Sequence, residues 1–320
     1  LSKSFDISTK EPGYDDSWEL IDPHSGEVKK TVSAKALWVK ILQNSPSDFE
    51  GIKEWDYKEH FYTLNTEYGD LRIHYIDEGS ENDKTVLLLH GEPDWGYIYR
   101  KFIDPLVENN LRVIVPDLPG FGKSDKLSER TAYTYEKYVA WMNAWLRDLN
   151  LNNITLFGQD WGGLIGLRLV VENQDKFDSV VLSNTGLPTG DVPPGEAFES
   201  WKNYSQTVEN FHAGGIVKGG TVNGLEQYVI DAYNAPFPDE SYKEAARQFP
   251  MLVPVTPDDP SSEINRNAWK ELKKWDKPFL CVFSEQDHVF KGVDKAFTKN
   301  VPGCENQPHK TIQGGHFVQE

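Results

Sequence analysis

Sulfur is scarce in this chain: two cysteines and two methionines among 320 residues. Cys281 sits in an apolar run and Cys304 in a Pro/Gly-flanked loop, without the short paired spacing that a metal or redox motif needs. Free thiols are expected, because a core of this size needs no disulfide. Positive charge is short as well. Lys and Arg number 33 against 50 Asp and Glu, a formal net charge of −17, which opposes nucleic acid and anionic membrane surfaces. Neither is an expected partner, whereas a neutral small molecule is. No stretch approaches the roughly 18 uninterrupted apolar residues of a membrane-spanning helix. Internal repeats, low-complexity tracts and coiled-coil heptads are also missing. The sequence begins at Leu1 rather than Met, so it is silent on any removed leader. The cytoplasm is the expected compartment and a monomer the expected state.

Apolar and aromatic residues are plentiful, with 38% hydrophobic content, 10 Trp and 16 Phe, enough for a large buried interior. Residues 1–45 read as an N-terminal extension of unknown role, polar and broken by Pro12, Gly13, Pro23 and Gly26, with only Ala34–Leu42 looking helical. From Phe61 the pattern changes, and Leu71, Ile73 and Tyr75 alternate with Arg72 and His74, as in a half-buried antiparallel edge strand. Short apolar runs bounded by turns follow at Thr85–Leu89, Val113–Val115, Ile154–Phe157, Ser179–Leu182 and Phe279–Phe283. Helical stretches separate them, including Tyr135–Leu149 and Gly163–Glu172. Strand and helix in alternation predict an α/β fold, a mostly parallel central sheet flanked by helices. The alternation stops after Ser183, where a Gly-, Pro- and aromatic-rich segment predicts an inserted helical cap. The core then spans 46–185 and 260–320, with the cap at 186–259.

The strand Ile154–Phe157 runs into Gly158-Gln-Asp160-Trp-Gly162-Gly163 and an apolar helix. A side chain at the centre of such a strand-to-helix turn stands above the sheet, and the flanking glycines avoid collisions with neighbouring strand and helix. The usual central residue is Ser; here it is Asp160. A carboxylate attacks without first losing a proton, which suits displacement at an sp³ carbon and disfavours a serine hydrolase. Taken alone, Gly-x-Asp-x-Gly is as readily a plain turn, so the rest of the constellation decides. Downstream, Phe279–Phe283 leads into Ser-Glu285-Gln-Asp287-His288, and the chain closes with Gly314-Gly-His316-Phe. Nucleophile, acid after a late strand, then His near the C-terminus is the order of parts in α/β hydrolases. His316 is the candidate base and Asp287, 316 − 287 = 29 residues earlier, the candidate acid, with room between them for one helix and one strand. Glu285 is a weaker alternative for the acid. His288, bonded next to Asp287, could scarcely serve as the base. Upstream, Val86–Leu89 ends in His90-Gly91-Glu92-Pro93. The N–H of Glu92, with that of Trp161, would face the carbonyl of an esterified Asp160 as an oxyanion hole. His90 itself reads as structural.

Four segments carry a resemblance: His90-Gly-Glu-Pro-Asp-Trp-Gly-Tyr-Ile-Tyr-Arg100, Val113-Ile-Val-Pro-Asp-Leu-Pro-Gly-Phe-Gly-Lys-Ser-Asp125, Gly158-Gln-Asp-Trp-Gly-Gly163 and Gly315-His-Phe-Val-Gln-Glu320. The first and third are specific together, while the second recurs across related hydrolases. Ala197-Phe-Glu-Ser-Trp201-Lys and Ala235-Pro-Phe-Pro-Asp-Glu-Ser-Tyr242 extend the match into the cap. From about Asn44 to Glu320 the chain resembles haloalkane dehalogenases of the α/β-hydrolase fold, in the branch that holds halide between two tryptophans. The other branch would carry Asn where this chain has Glu92. The resemblance implies hydrolysis of haloalkanes to primary alcohol, halide and a proton through a covalent ester on Asp160, with His316 as base and Asp287 as acid. It places Trp161 and Trp201 as halide ligands, and Phe198, Phe237 and Pro238 along the pocket. It implies no metal and no cofactor, with haloalkane and water as the only partners and a halide ion such as chloride bound in passing. Relatives continue past the His motif into a closing helix, so the chain is expected to be truncated after Glu320 and its His loop less well supported.

Two other readings compete. An epoxide hydrolase shares Asp-Trp-Gly-Gly but needs two cap tyrosines to donate to the epoxide oxygen, and Tyr204 and Tyr242 are available. A non-catalytic protein could keep the scaffold to bind a small hydrophobic ligand; an intact Asp160, Asp287 and His316 argues against it.

Overall fold

The computed structural model describes residues 17–21, 28–33, 38–81 and 83–320. Its strands are β1 (Ser17–Ile21), β2 (Val28–Ser33), β3 (Ile41–Leu42), β4 (Glu59–Thr66), β5 (Gly69–Glu78), β6 (Lys84–Leu89), β7 (Leu111–Pro116), β8 (Lys126–Leu127), β9 (Ile154–Gln159), β10 (Phe177–Ser183), β11 (Phe279–Ser284) and β12 (Lys310–Ile312). The α-helices are α1 (Arg100–Glu108), α2 (Tyr135–Asp148), α3 (Trp161–Glu172), α4 (Glu196–Thr207), α5 (Ala213–Gly219), α6 (Gln227–Asn234), α7 (Glu244–Leu252), α8 (Ser262–Leu272) and α9 (Asp294–Asn300).

One eight-stranded sheet runs in the order β12-β11-β10-β9-β6-β7-β5-β4. Pairing from β12 across to β7 is parallel, and β5 and β4 close the far edge antiparallel. The central strands read as continuous apolar runs because helices cover both faces: from Thr85 to Leu89 every residue of β6 is buried. On α2, Thr134 caps the N-terminus by accepting from Lys137 N–H at 3.2 Å, and Tyr138, Trp141, Met142 and Trp145 form the buried face. The parallel order sends β6, β9 and β11 towards the same sheet end, where their following loops meet. In open α/β sheets that end is the usual place for a site.

Between β10 and α8 the chain builds α4 to α7, after which α8 returns to pack on α3. One expectation fails at the N-terminus. Ile41 and Leu42 are not helical; they pair antiparallel with Leu127 and Lys126, flanked by bonds between Lys40 and Ser128. A partner about ninety residues away satisfies this backbone and overrides a weak local helix preference. Residues 34–37 of that segment, like most of 1–37, lie outside the described residues. No described helix is long and apolar enough to cross a membrane.

Candidate active site

Asp160 closes β9 and caps α3 with φ 50° and ψ −128°, a left-handed backbone that a non-glycine residue adopts only when its surroundings force it. Those surroundings are visible. Asp160 N–H donates to the Asn184 carbonyl at 2.9 Å, and its own carbonyl accepts from Thr185 Oγ1 at 2.6 Å and from Gly163 N–H at 2.9 Å. A Cβ on Gly162 would lie 1.9 Å from the Leu89 carbonyl oxygen, and one on Gly163 would lie 2.1 Å from Thr185 Oγ1. Only glycine lets α3 start this close to β6 and β10.

His316 reaches the same point from the loop after β12. Its Nε2 lies 3.5 Å from Asp160 Oδ2, and its Nδ1 lies 2.9 Å from Asp287 Oδ2. Asp287 follows β11, with its other oxygen held by the N–H groups of Val289 at 2.8 Å and Phe290 at 3.1 Å. Of the alternatives, Glu285 and His288 are both exposed, and the bond to the His316 ring comes from Asp287. Burial works to lower the imidazole pKa, but the carboxylates of Asp287 and Asp160 outweigh it and hold His316 well above the usual histidine range. Burial likewise pushes Asp287 up, and the facing imidazole with two backbone donors more than reverses this, leaving its pKa lowered.

The loop after β6 supplies a third approach. Glu92 N–H donates to Asp160 Oδ1 at 2.9 Å. Gly91 has no alternative, since a Cβ there would sit 2.4 Å from that same Oδ1. The Glu92 carboxyl is itself buried, its Oε1 without a partner, and burial with the charges of Asp160 and Asp94 pushes it well above the ordinary carboxylate range. His90 is structural: Leu118 N–H donates to its Nε2 at 2.8 Å, so Nδ1 carries the proton and donates to the Gly91 carbonyl at 2.8 Å. Asp94 is fully buried beside it, its Oδ1 3.4 Å from His90 Nδ1; burial pushes the group up and the neighbouring imidazole opposes this. The elbow thus faces two buried carboxyls, both held above the ordinary carboxylate range.

The remaining sequence-predicted residues fare unevenly. Trp161 opens α3, where its N–H has no intrahelical partner. Its buried indole stacks on Phe249 at 4.5 Å and meets Tyr135 edge-on at 5.0 Å, with no acceptor for Nε1 among the described residues. Trp201, on α4, packs against Tyr204 and Phe211 rather than against Trp161. Phe237 is buried and meets Phe121, which stacks on Phe249 and faces His90, so it joins the aromatic chain over the elbow. Phe198 is half-buried. Pro238 does not join the others: it is exposed and lines an outer cleft of about 460 Å³ with Asp48, Glu50, Tyr228 and Asp231, to which neither Asp160 nor His316 contributes. Neither cap tyrosine reaches Asp160: Tyr204 is on the surface, and the Tyr242 hydroxyl donates to the Gln43 carbonyl.

Three further residues shape the site without having been singled out from sequence. Asn184 Nδ2 donates to the carbonyls of Gly315 and His316, each at 2.9 Å. Gln159 lies against His316 from below. Glu320 supports the His loop more firmly than expected. Its side chain takes Arg100 in two bonds at 2.5 and 2.8 Å, Lys101 at 2.9 Å, and the hydroxyl of Tyr233 on α6. A polar residue directly after an apolar strand could have marked Asn184, and a carboxylate within the His motif Glu320; Gln159 carries no such signal.

Fold and elbow together define an α/β hydrolase, and a family model described as the alpha/beta hydrolase fold matches residues 84–320. The chain is 56% identical over 284 residues to a haloalkane dehalogenase of Psychrobacter cryohalolentis, covering 88% of this chain and 94% of that protein. It is 41% identical over 281 residues to one of Mycolicibacterium paratuberculosis, covering 88% and 93%. Among solved structures, the tetrameric haloalkane dehalogenase DpaA of Paraglaciecola agarilytica superimposes with a TM-score of 0.82 at 31% identity, covering 88% and 94%. The chain belongs to the haloalkane dehalogenase family.

Proposed function

We propose that this enzyme hydrolyses haloalkanes in two displacements centred on Asp160. In the first, a carboxylate oxygen of Asp160 attacks the halogen-bearing carbon; a C–O bond forms, the carbon–halogen bond breaks, and halide leaves with the electron pair. In the second, His316 Nε2 takes a proton from water while the water oxygen adds to the ester carbon of Asp160. The resulting oxyanion sits against the N–H of Glu92 and of Trp161. Collapse breaks the bond to the alkoxy oxygen, the imidazolium returns its proton to the alcohol, and the regenerated carboxyl releases the net proton. Asp287 holds the tautomer of His316 that leaves Nε2 free.

The observation that carries this reading is Asp160 in place of Ser at the elbow, with Glu92 N–H on one carboxylate oxygen and His316 facing the other. Trp161 and Trp201 serve as halide ligands: neutral N–H donors suit a large, weakly basic anion and add no cation that would compete for Asp160. Phe198 and Phe237 line the substrate side, and Pro238 is left out of the pocket. The reaction takes water and haloalkane and uses no cofactor, with halide held only as product. One chain is the active unit, because Glu92, Asp160, Asp287 and His316 all come from it; light scattering tests whether it works as a monomer.

The deciding experiment is His316→Phe incubated with 1,2-dibromoethane or 1-bromobutane. Attack by an ionised carboxylate needs no base, so the alkyl-enzyme accumulates: intact mass rises by one alkyl group, one halide is released per chain, and peptide mapping puts the adduct on the segment holding Asp160. An unmodified, folded His316→Phe protein rejects the covalent route, and diol formation from epoxides without halide release from haloalkanes favours the epoxide reading.

A further inference from the structure

Gln159 is fully buried, one residue before Asp160, and its side chain points under the His loop. Its Nε2 lies 3.2 Å from the His316 backbone carbonyl and 3.2 Å from His316 Nε2, while its Oε1 is buried without a partner. A carbonyl oxygen only accepts, so the atom facing it is the amide NH₂ and not the amide oxygen. The other hydrogen of that NH₂ is then available to His316 Nε2, which accepts only while it carries no proton. Nδ1, 2.9 Å from Asp287, holds the ring's one proton in that form.

Asp160 makes the opposite demand on the same nitrogen. Its Oδ2, 3.5 Å away, favours a proton on Nε2. The other charged or titratable groups near the ring are Asp287 from the loop after β11, and the buried Glu92 and Asp94 from the loop after β6. Phe290 and Phe317, which pack against the ring, carry no charge. Esterification of Asp160 removes one of the two anions in contact with the imidazole. What remains at Nε2 is the Gln159 donor.

We propose that Gln159 is a positioning residue for the second half-reaction: once Asp160 is esterified, its amide N–H holds His316 in the neutral form whose Nε2 can take a proton from water. This rests on the roles of Asp160 and His316 given above. The same contact hastens the end of the step, because an imidazolium N–H would face the amide N–H and gives up its proton readily to the departing alkoxide. The loop does not depend on Gln159 for its position, since Asn184 also donates to the His316 carbonyl at 2.9 Å.

The test separates the two half-reactions by rapid quench with 1,2-dibromoethane, following halide and alcohol across pH. Gln159→Met keeps length and removes the donor. Halide release in a single turnover should stay within about threefold of the parent, while alcohol formation near neutral pH falls about tenfold and its rising limb moves up by about one pH unit, the size of one lost hydrogen bond. Gln159→Glu, which offers an acceptor to Nε2–H, should move the limb further up. An unmoved limb in both variants, or halide and alcohol slowed by one common factor, overturns the proposal and leaves Gln159 a packing residue. His316→Phe in the same assay distinguishes the two failures. Without an adduct there, the Asp160 assignment falls and this inference with it; with an adduct and an unmoved limb, only the role of Gln159 falls.

Discussion

The sheet end beneath the site and the cap above it are built in different ways. Beneath, Asp160, Glu92 and His316 are held by backbone bonds and by glycines packed against carbonyls, and a single added Cβ has nowhere to go. Above, α4 begins at Gly195 with no side-chain cap and open space around it. Val192, Tyr204 and Met251 of the cap are exposed. Some of its polar ties to the core, such as Arg130 to Glu244 and Gln206, are partly in water, where an ion pair contributes little. Chain geometry therefore fixes the elbow and the loops around it, while packing and a few hydrogen bonds, such as Trp95 Nε1–H to the Ala232 carbonyl at 3.0 Å, seat the helices above them.

The sharpest break in that contrast is Asp160→Ala. Turnover should fall by more than about 10³-fold, as when a nucleophile is removed from a preformed site, while circular dichroism shows the fold unchanged. Activity within tenfold of the parent would mean the nucleophile lies elsewhere. Next comes a pair of identical substitutions. Gly91→Ala should cost at least about 2 kcal/mol or most of the activity, because its Cβ overlaps the Asp160 carboxylate. Gly195→Ala should change stability by no more than about 0.5 kcal/mol. Equal effects in urea unfolding would erase the distinction between floor and cap. Trp161→Phe and Trp201→Phe should each weaken halide binding by about 1–4 kcal/mol, the cap residue at the lower end. Fluorescence quenching by bromide reads this, and undiminished quenching in Trp201→Phe removes it as a ligand.

The smallest effect concerns Glu92. Its folded pKa is raised, so the folded chain keeps a proton that the unfolded chain releases. The stability this group contributes is full below the ordinary carboxylate range and is lost as pH rises towards the folded value. Glu92→Gln cannot titrate there, so its stability relative to the parent should grow between pH 5 and pH 8 in urea melts. A difference that stays constant with pH would mean that Glu92 is not kept protonated.

What the sequence made legible follows the same divide. Gly158, Gly162, Gly163 and Gly91 encode close backbone approach, and such glycines announce the turn and the atom it presents. The order Asp160, Asp287, His316 then left one arrangement, with α9 and β12 filling the interval between the last two. Gln159 escaped because an amide next to a nucleophile carries no signature until the distance to His316 is known. Ile41 and Leu42 misled because their partner strand is distant in sequence. Pro238 misled because a flanking motif fixes neighbours along the chain and not the direction they face: Phe237 turns inward and Pro238 outward.

The tie between Arg100 and Glu320 joins residues 220 apart in sequence. By contact order, closing a loop that long is expected only after nearer pairs such as β9 with β10 have formed. His316, four residues before Glu320, is therefore expected among the last side chains to reach its place. Contacts made so late are absent from the folding transition state, so weakening this clip should hasten unfolding while leaving the rate of folding nearly untouched.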